Sequence, residues 1–186
     1  LENIGTSTEP KYKMITDDYA NFSSYNLVGI NPAFGDLDGD GKKDMLIGDS
    51  NGFLHFFKNT GTTVASFPSM TVPLFGMIDV GQNSAPFIYD VNGDSLNDLV
   101  IGNKNGKLSY FWNIGTRTSP VLSSDSVNTN FGGVNVTQLG HAFGYSQPFI
   151  KTDSTGKMLL FVGSMLGYIY EYEIDTTKLC SGSFVM

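Results

Sequence analysis

The stretch Asp36-Leu37-Asp38-Gly39-Asp40-Gly41-Lys42-Lys43-Asp44 decides how this chain is read. Four carboxylates stand at loop positions 1, 3, 5 and 9, between the apolar runs Pro32-Ala33-Phe34 and Met45-Leu46-Ile47-Gly48. Four acids in so short a loop repel one another unless a cation sits among them. Oxygen donors on alternate residues suit a hard divalent ion, calcium above all, and the glycines let the loop curl around it. A second copy, Asp90-Val91-Asn92-Gly93-Asp94-Ser95-Leu96-Asn97-Asp98, lies 54 residues further on. It is flanked by Pro86-Phe87-Ile88 and Leu99-Val100-Ile101-Gly102.

Working outward, other motifs recur with a similar period. Asn3-Ile4-Gly5-Thr6 returns as Asn59-Thr60-Gly61-Thr62 and Asn113-Ile114-Gly115-Thr116, and Pro32, Pro86 and Pro148 hold equivalent places. A repeat of roughly 50 residues with strand-like runs and Gly-containing turns has the arithmetic of a propeller blade. Each unit reads as a short extended segment after Asn-x-Gly-Thr, a variable connection, a strand into the acidic loop, a strand out of it, and a final aromatic strand. Met45-Leu46-Ile47 and Leu99-Val100-Ile101 lack polar alternation, so both faces of these strands are expected to be covered. The fold expected is all-β: a β-propeller-like array of about three four-stranded antiparallel blades, open rather than closed. One array is expected over 1–186, with units near 1–58, 59–112 and 113–186.

The third unit departs from the pattern. Thr152 stands where Asp36 and Asp90 stand, and only Asp153 remains acidic in the shorter loop that follows. No metal is expected there. Glu171 takes the place of Phe56 and Tyr110, which predicts a wetter face on the last strand.

Composition bounds the function. Hydrophobic residues make up 40% and charged residues 16%, which is globular rather than disordered. The net charge of −7 disfavours a nucleic-acid partner. No run of 18 apolar residues exists, so no membrane span is expected. Cys180 is the single cysteine and leaves no internal disulfide. The sequence carries no nucleophile elbow, phosphate-binding glycine loop or zinc-type Cys/His cluster, and no catalytic residue is assigned. His55 reads as a packed strand histidine, Ser84 and Ser146 as turn-bonding hydroxyls, and Tyr110-Phe111-Trp112 as blade packing.

Phe34-Gly35-Asp36-Leu37-Asp38-Gly39-Asp40-Gly41 followed by Asp44 resembles the FG-GAP and VCBS-type repeats, the calcium-binding β-propeller blades of integrin α chains and of many secreted bacterial proteins. The loop from Asp90 matches with Asn92 for one Asp and Ser95 for a Gly. The resemblance implies two calcium ions. Asp36, Asp38, Asp40, Asp44 and the Lys42 carbonyl would hold one. Asp90, Asn92, Asp94, Asp98 and the Leu96 carbonyl would hold the other. An EF-hand would need a Glu at position 12, where Ile47 and Ile101 stand.

The resemblance further implies a non-enzymatic, extracellular or cell-surface module that binds protein or polysaccharide. The alternatives are an accessory region of a secreted carbohydrate-active enzyme, or a lectin. Because the chain opens inside a motif and holds about three repeats, both terminal blades are expected to expose apolar surface and to favour self-association.

Overall fold

The computed structural model describes residues 2–72, 75–123, 125–176 and 179; Cys180 lies outside them. Among the described residues there are twelve strands: β1 (Glu2–Asn3), β2 (Tyr12–Lys13), β3 (Asn31–Gly35), β4 (Asp44–Gly48), β5 (Leu54–Phe57), β6 (Ala85–Tyr89), β7 (Asp98–Gly102), β8 (Leu108–Phe111), β9 (Val127–Asn128), β10 (Gln147–Thr152), β11 (Met158–Gly163) and β12 (Ile169–Glu173). They form antiparallel sheets β3-β4-β5, β6-β7-β8-β9 and β10-β11-β12, plus the small pair β1-β2. The inner strands β3, β6 and β10 lie side by side, and among the described residues no sheet closes on itself. The chain is all-β with an open, propeller-like arrangement.

One register recurs in all three larger sheets. Leu46 faces Phe56, Val100 faces Tyr110 and Phe161 faces Glu171. The middle strands β4 and β7 are buried at every residue, as expected for strands covered on both faces. Tyr110 and Phe111 are buried on opposite faces of β8, one packed toward the third sheet and one toward the first. In β12 Glu171 and Glu173 are exposed, which makes this strand the wet one.

Two readings change. The extended segment after Asn-x-Gly-Thr pairs backward, not forward. Val72 makes a single bridge to Phe56 of β5, and β9 pairs with β8, so the chain returns along the outer edge of the preceding sheet and in the second sheet adds a fourth strand. The sheets therefore straddle the sequence boundaries at 58/59 and 112/113. The cause is local: Asn59 and Asn113 turn the chain back on the strand it has just left.

The second change concerns the connections. Tyr19-Ala20-Asn21, Phe75-Gly76-Met77 and Phe131-Gly132-Gly133 are equivalent 3₁₀ turns, each with two consecutive residues at positive φ (Ala20 54°, Asn21 58°; Gly76 64°, Met77 53°; Gly132 65°, Gly133 64°). Their aromatic and apolar side chains pack on the sheet faces: Phe22 on Phe57 at 4.9 Å, Phe75 on Phe56 at 5.5 Å, Phe131 on Tyr110 at 4.8 Å. The first of these turns covers the outer face of the first sheet, where Met45, Ile47, Phe57 and Phe67 meet Phe22, Tyr25 and Leu27. That cover is partial, and both end sheets expose apolar surface: Phe34 of the first is 49% exposed, and Phe149 and Ile169 of the third are 51% and 75% exposed.

Candidate metal centre

Each acidic loop joins an inner strand to a middle strand. Loop position 2 is an apolar plug: Leu37 and Val91 are buried between sheets. With that residue fixed, the next turn must curl outward, and Asp36 organises it. Its Oδ1 accepts the Gly39 N–H at 2.7 Å and its Oδ2 the Gly41 N–H at 3.0 Å. Asp40 and Lys42 donate their amides to Asp38 and Asp40 respectively. One carboxylate oxygen from each of Asp36, Asp38 and Asp40 lies within 4.8 Å of the others, a group that can hold a metal ion.

Three carboxylates this close need positive charge. Lys58, at the end of β5, places its ammonium on Asp38 and 3.4 Å from Asp40 Oδ2. Lys42 lies 3.6 Å from Asp40 and Arg117 3.8 Å from Asp36. Hydrogen bonding to Asp38 holds the Lys58 ammonium above its ordinary value. The Lys42 amide, with help from Lys58, holds the Asp40 carboxyl below its own. Lys58 is the residue that sequence reasoning missed. It sits fourteen positions after the loop, and only the β4-β5 hairpin brings it back.

The second loop repeats the geometry with fewer charges. Asp90 accepts from Gly93, Asp94 and Ser95, and Leu96 donates its amide to Asp94. The Asn92 amide donates to Asp94 Oδ2 at 2.9 Å, doing for this loop what Lys58 does for the first. Among the described residues no ion pair reaches Asp90 or Asp94. Ser95 stands at φ 69°, where Gly41 stands at 84°, so the serine carries a backbone strain that the glycine does not.

Asp44 and Asp98 are placed differently from the other acids. Both are buried, and neither belongs to the converging group. Asp44 accepts the Leu37 and Asn59 amides, each within 3.0 Å. Asp98 accepts the Val91 and Asn113 amides and the Tyr110 hydroxyl. Burial pushes both carboxyls above the usual carboxylate range, and these hydrogen bonds pull back against it. The two carboxylates clamp the acidic loop to the Asn-x-Gly-Thr turn. That turn is itself built on its asparagine: Asn59 Oδ1 accepts from Gly61 and Ser66, Asn113 Oδ1 from Gly115 and Val121, and Asn3 Oδ1 from Gly5 and Lys11. Two motifs that look separate in sequence are one structure. The loops are also joined to each other, since Asn97 donates to the Asp36 carbonyl at 2.7 Å.

In the third loop Asp153 spends its Oδ1 on Thr155 and Lys157, closing a turn. His55 is buried, with Nε2 3.1 Å from Asp49 Oδ2. Ser84 and Ser146 bond backbone across the sheets: each hydroxyl accepts the amide of Asp49 or Asn103 at 2.9 Å and donates to the carbonyl of Phe53 or Lys107.

Fold and site together define an open, propeller-like β chain with an acidic loop able to hold a cation. Comparison of the chain with protein-family models, with curated proteins and with solved structures finds no match.

Proposed function

We propose that this chain is a calcium-binding β-propeller segment of FG-GAP/VCBS type, a non-catalytic module of an extracellular or cell-surface protein that binds a protein or polysaccharide. The observation that carries the reading is the convergence of Asp36, Asp38 and Asp40 on one turn, with the backbone of that turn already folded by Asp36. Alternate oxygens on a curled, glycine-bearing loop offer the many-oxygen sphere that calcium accepts and magnesium resists. The second loop supplies Asp90, Asn92 and Asp94 on the same turn. Asp44 and Asp98 add acceptor capacity behind it, with the carbonyls of Lys42 and Leu96 completing the two spheres.

The ions would act as staples. A cation entering the first loop displaces the Lys58 ammonium and ties the two ends of the β3-β4 hairpin; one in the second loop does the same for β6-β7. The exposed far face of the third sheet, with Phe149 and Ile169, offers a surface for self-association. Thermal melts test the calcium reading. At a hundredfold excess over Kd, a ligand of the folded state adds about 2.7 kcal/mol. Calcium is expected to raise the melting temperature above that in chelator, and magnesium to raise it less. Identical melts in calcium and in chelator would remove this reading.

A further inference from the structure

Where the three inner strands begin, at the end of the sheets away from the acidic loops, the chain forms a recess of about 260 Å³. All three sheets contribute to it: Ile30 and Asn31 from the first, Asn83 from the second, Tyr145 and Gln147 from the third. Among the described residues none of its walls is charged.

Three features of the walls point to a ligand. Asn83 lines the recess, and its Oδ1 is buried with no hydrogen-bond partner among the described residues, a costly state at the wall of a cavity. Asn31 spends its NH₂ on the carbonyls of Gly29 and Ser84, at 3.3 and 3.0 Å, which leaves its Oδ1 as the free half of that amide. The backbone at the rim is strained. Residues 29, 83 and 145, each three before the proline of its sheet, all have left-handed φ (62°, 61° and 51°), yet only the first is glycine. Asparagine tolerates this region, but the Tyr145 side chain is carried at a backbone cost, and such strain collects at functional sites.

We infer that this recess binds one residue of a neutral saccharide. A sugar hydroxyl both donates and accepts: it can donate to Asn31 Oδ1 and take either role with the Gln147 carboxamide. Tyr145 lines the recess, and a tyrosine ring is the kind of surface on which sugar C–H groups pack. Uncharged walls give an acidic or basic ligand no counter-charge to replace its lost hydration. The inference rests on the reading of the chain as a binding module and names the polysaccharide as its ligand class; it does not depend on calcium.

The test is an NMR titration of the whole chain with glucose, galactose, mannose, N-acetylglucosamine and their disaccharides, in calcium and again in chelator. At least one sugar is expected to shift the side-chain amide signals of Asn31, Asn83 and Gln147. Asn83→Gly, which keeps the left-handed backbone, is expected to weaken that binding about tenfold or more. Gln147→Ala, at an exposed position, is expected to weaken it without touching the fold. The absence of any shift, shifts confined to another region, or unchanged affinity in both variants would overturn the site. A calcium response without a sugar response overturns this site alone. A sugar response without a calcium response upholds it and counts against the metal reading.

Discussion

Gly102 and Gly163 occupy the same place in neighbouring sheets, and replacing each by alanine is expected to have opposite consequences. Gly102 ends β7 and faces the next sheet. A methyl group there would meet the Ser146 carbonyl oxygen at 2.0 Å and the Ser146 Oγ at 2.9 Å. An ordinary carbon–oxygen contact is about 3.3 Å or more, so the sheets would have to part by roughly 1 Å. Parting them breaks the Ser146 stitch, in which the hydroxyl accepts from Asn103 at 2.9 Å and donates to Lys107 at 2.6 Å. Overpacking costs about 1–3 kcal/mol and each of the two lost hydrogen bonds about 1 kcal/mol, so Gly102→Ala is expected to cost about 3–5 kcal/mol. In a chain of this size that lowers the melting temperature by about 6–20 °C. At Gly163 the nearest obstacle is the Gln147 carbonyl, 3.9 Å away, because among the described residues no further sheet packs there. Gly163→Ala is expected to shift stability by less than about 0.5 kcal/mol. Urea unfolding followed by Trp112 fluorescence measures both. Equal losses in the two variants, or a greater loss at Gly163, would refute the side-by-side packing of the sheets.

Three further outcomes are expected. In saturating calcium, Asp36→Ala should cost about 2–3 kcal/mol and Asp90→Ala less, since three carboxylates converge in the first loop and two with an amide in the second; denaturant titrations in calcium give the order. Met77 is exposed at φ 53°, where the third turn has Gly133, so Met77→Gly should raise stability by about 1 kcal/mol in thermal or urea unfolding. The Asp18 carboxylate accepts both the Ser23 hydroxyl and the Ser23 amide, which hold it below the ordinary carboxylate value. Its folded form is depressed, so its contribution is present above the ordinary value near 3.8 and is lost as pH falls through the folded one. NMR titration should show Asp18 deprotonating early and returning toward the ordinary value in Ser23→Ala.

Much of the fold was legible because its signals are local. The acidic loops announce themselves by alternate carboxylates, and the unbroken apolar runs of β4 and β7 report strands covered on both faces. What sequence could not deliver depends on contacts between distant residues. The outer strands at Val72 and β9 are too short to carry a hydrophobic period, and only the Asn59 and Asn113 turns decide which sheet they join. The aromatic turns at Tyr19, Phe75 and Phe131 hid in the connections, because Ala20-Asn21, Gly76-Met77 and Gly132-Gly133 share a backbone shape and not a residue type. At the site, Asp36, Asp38 and Asp40 stood out and do converge. Asp44 and Asp98 stood out equally, but the structure turns them inward to hold the Asn-x-Gly-Thr turns. Lys58 carried no signal, since a lysine at a strand end is ordinary until the hairpin places it on Asp38. The spacing of the prolines did carry one for the recess: counting three back from each gives Gly29, Asn83 and Tyr145.

The central claim is that the two acidic loops each hold one calcium ion. Isothermal titration calorimetry of the calcium-depleted chain tests it most directly, with Asp36→Ala and Asp90→Ala measured alongside. The expected result is two calcium ions per chain in the parent, one in each variant, and weaker magnesium binding throughout. No heat of calcium binding, or a stoichiometry unchanged by both substitutions, would contradict it.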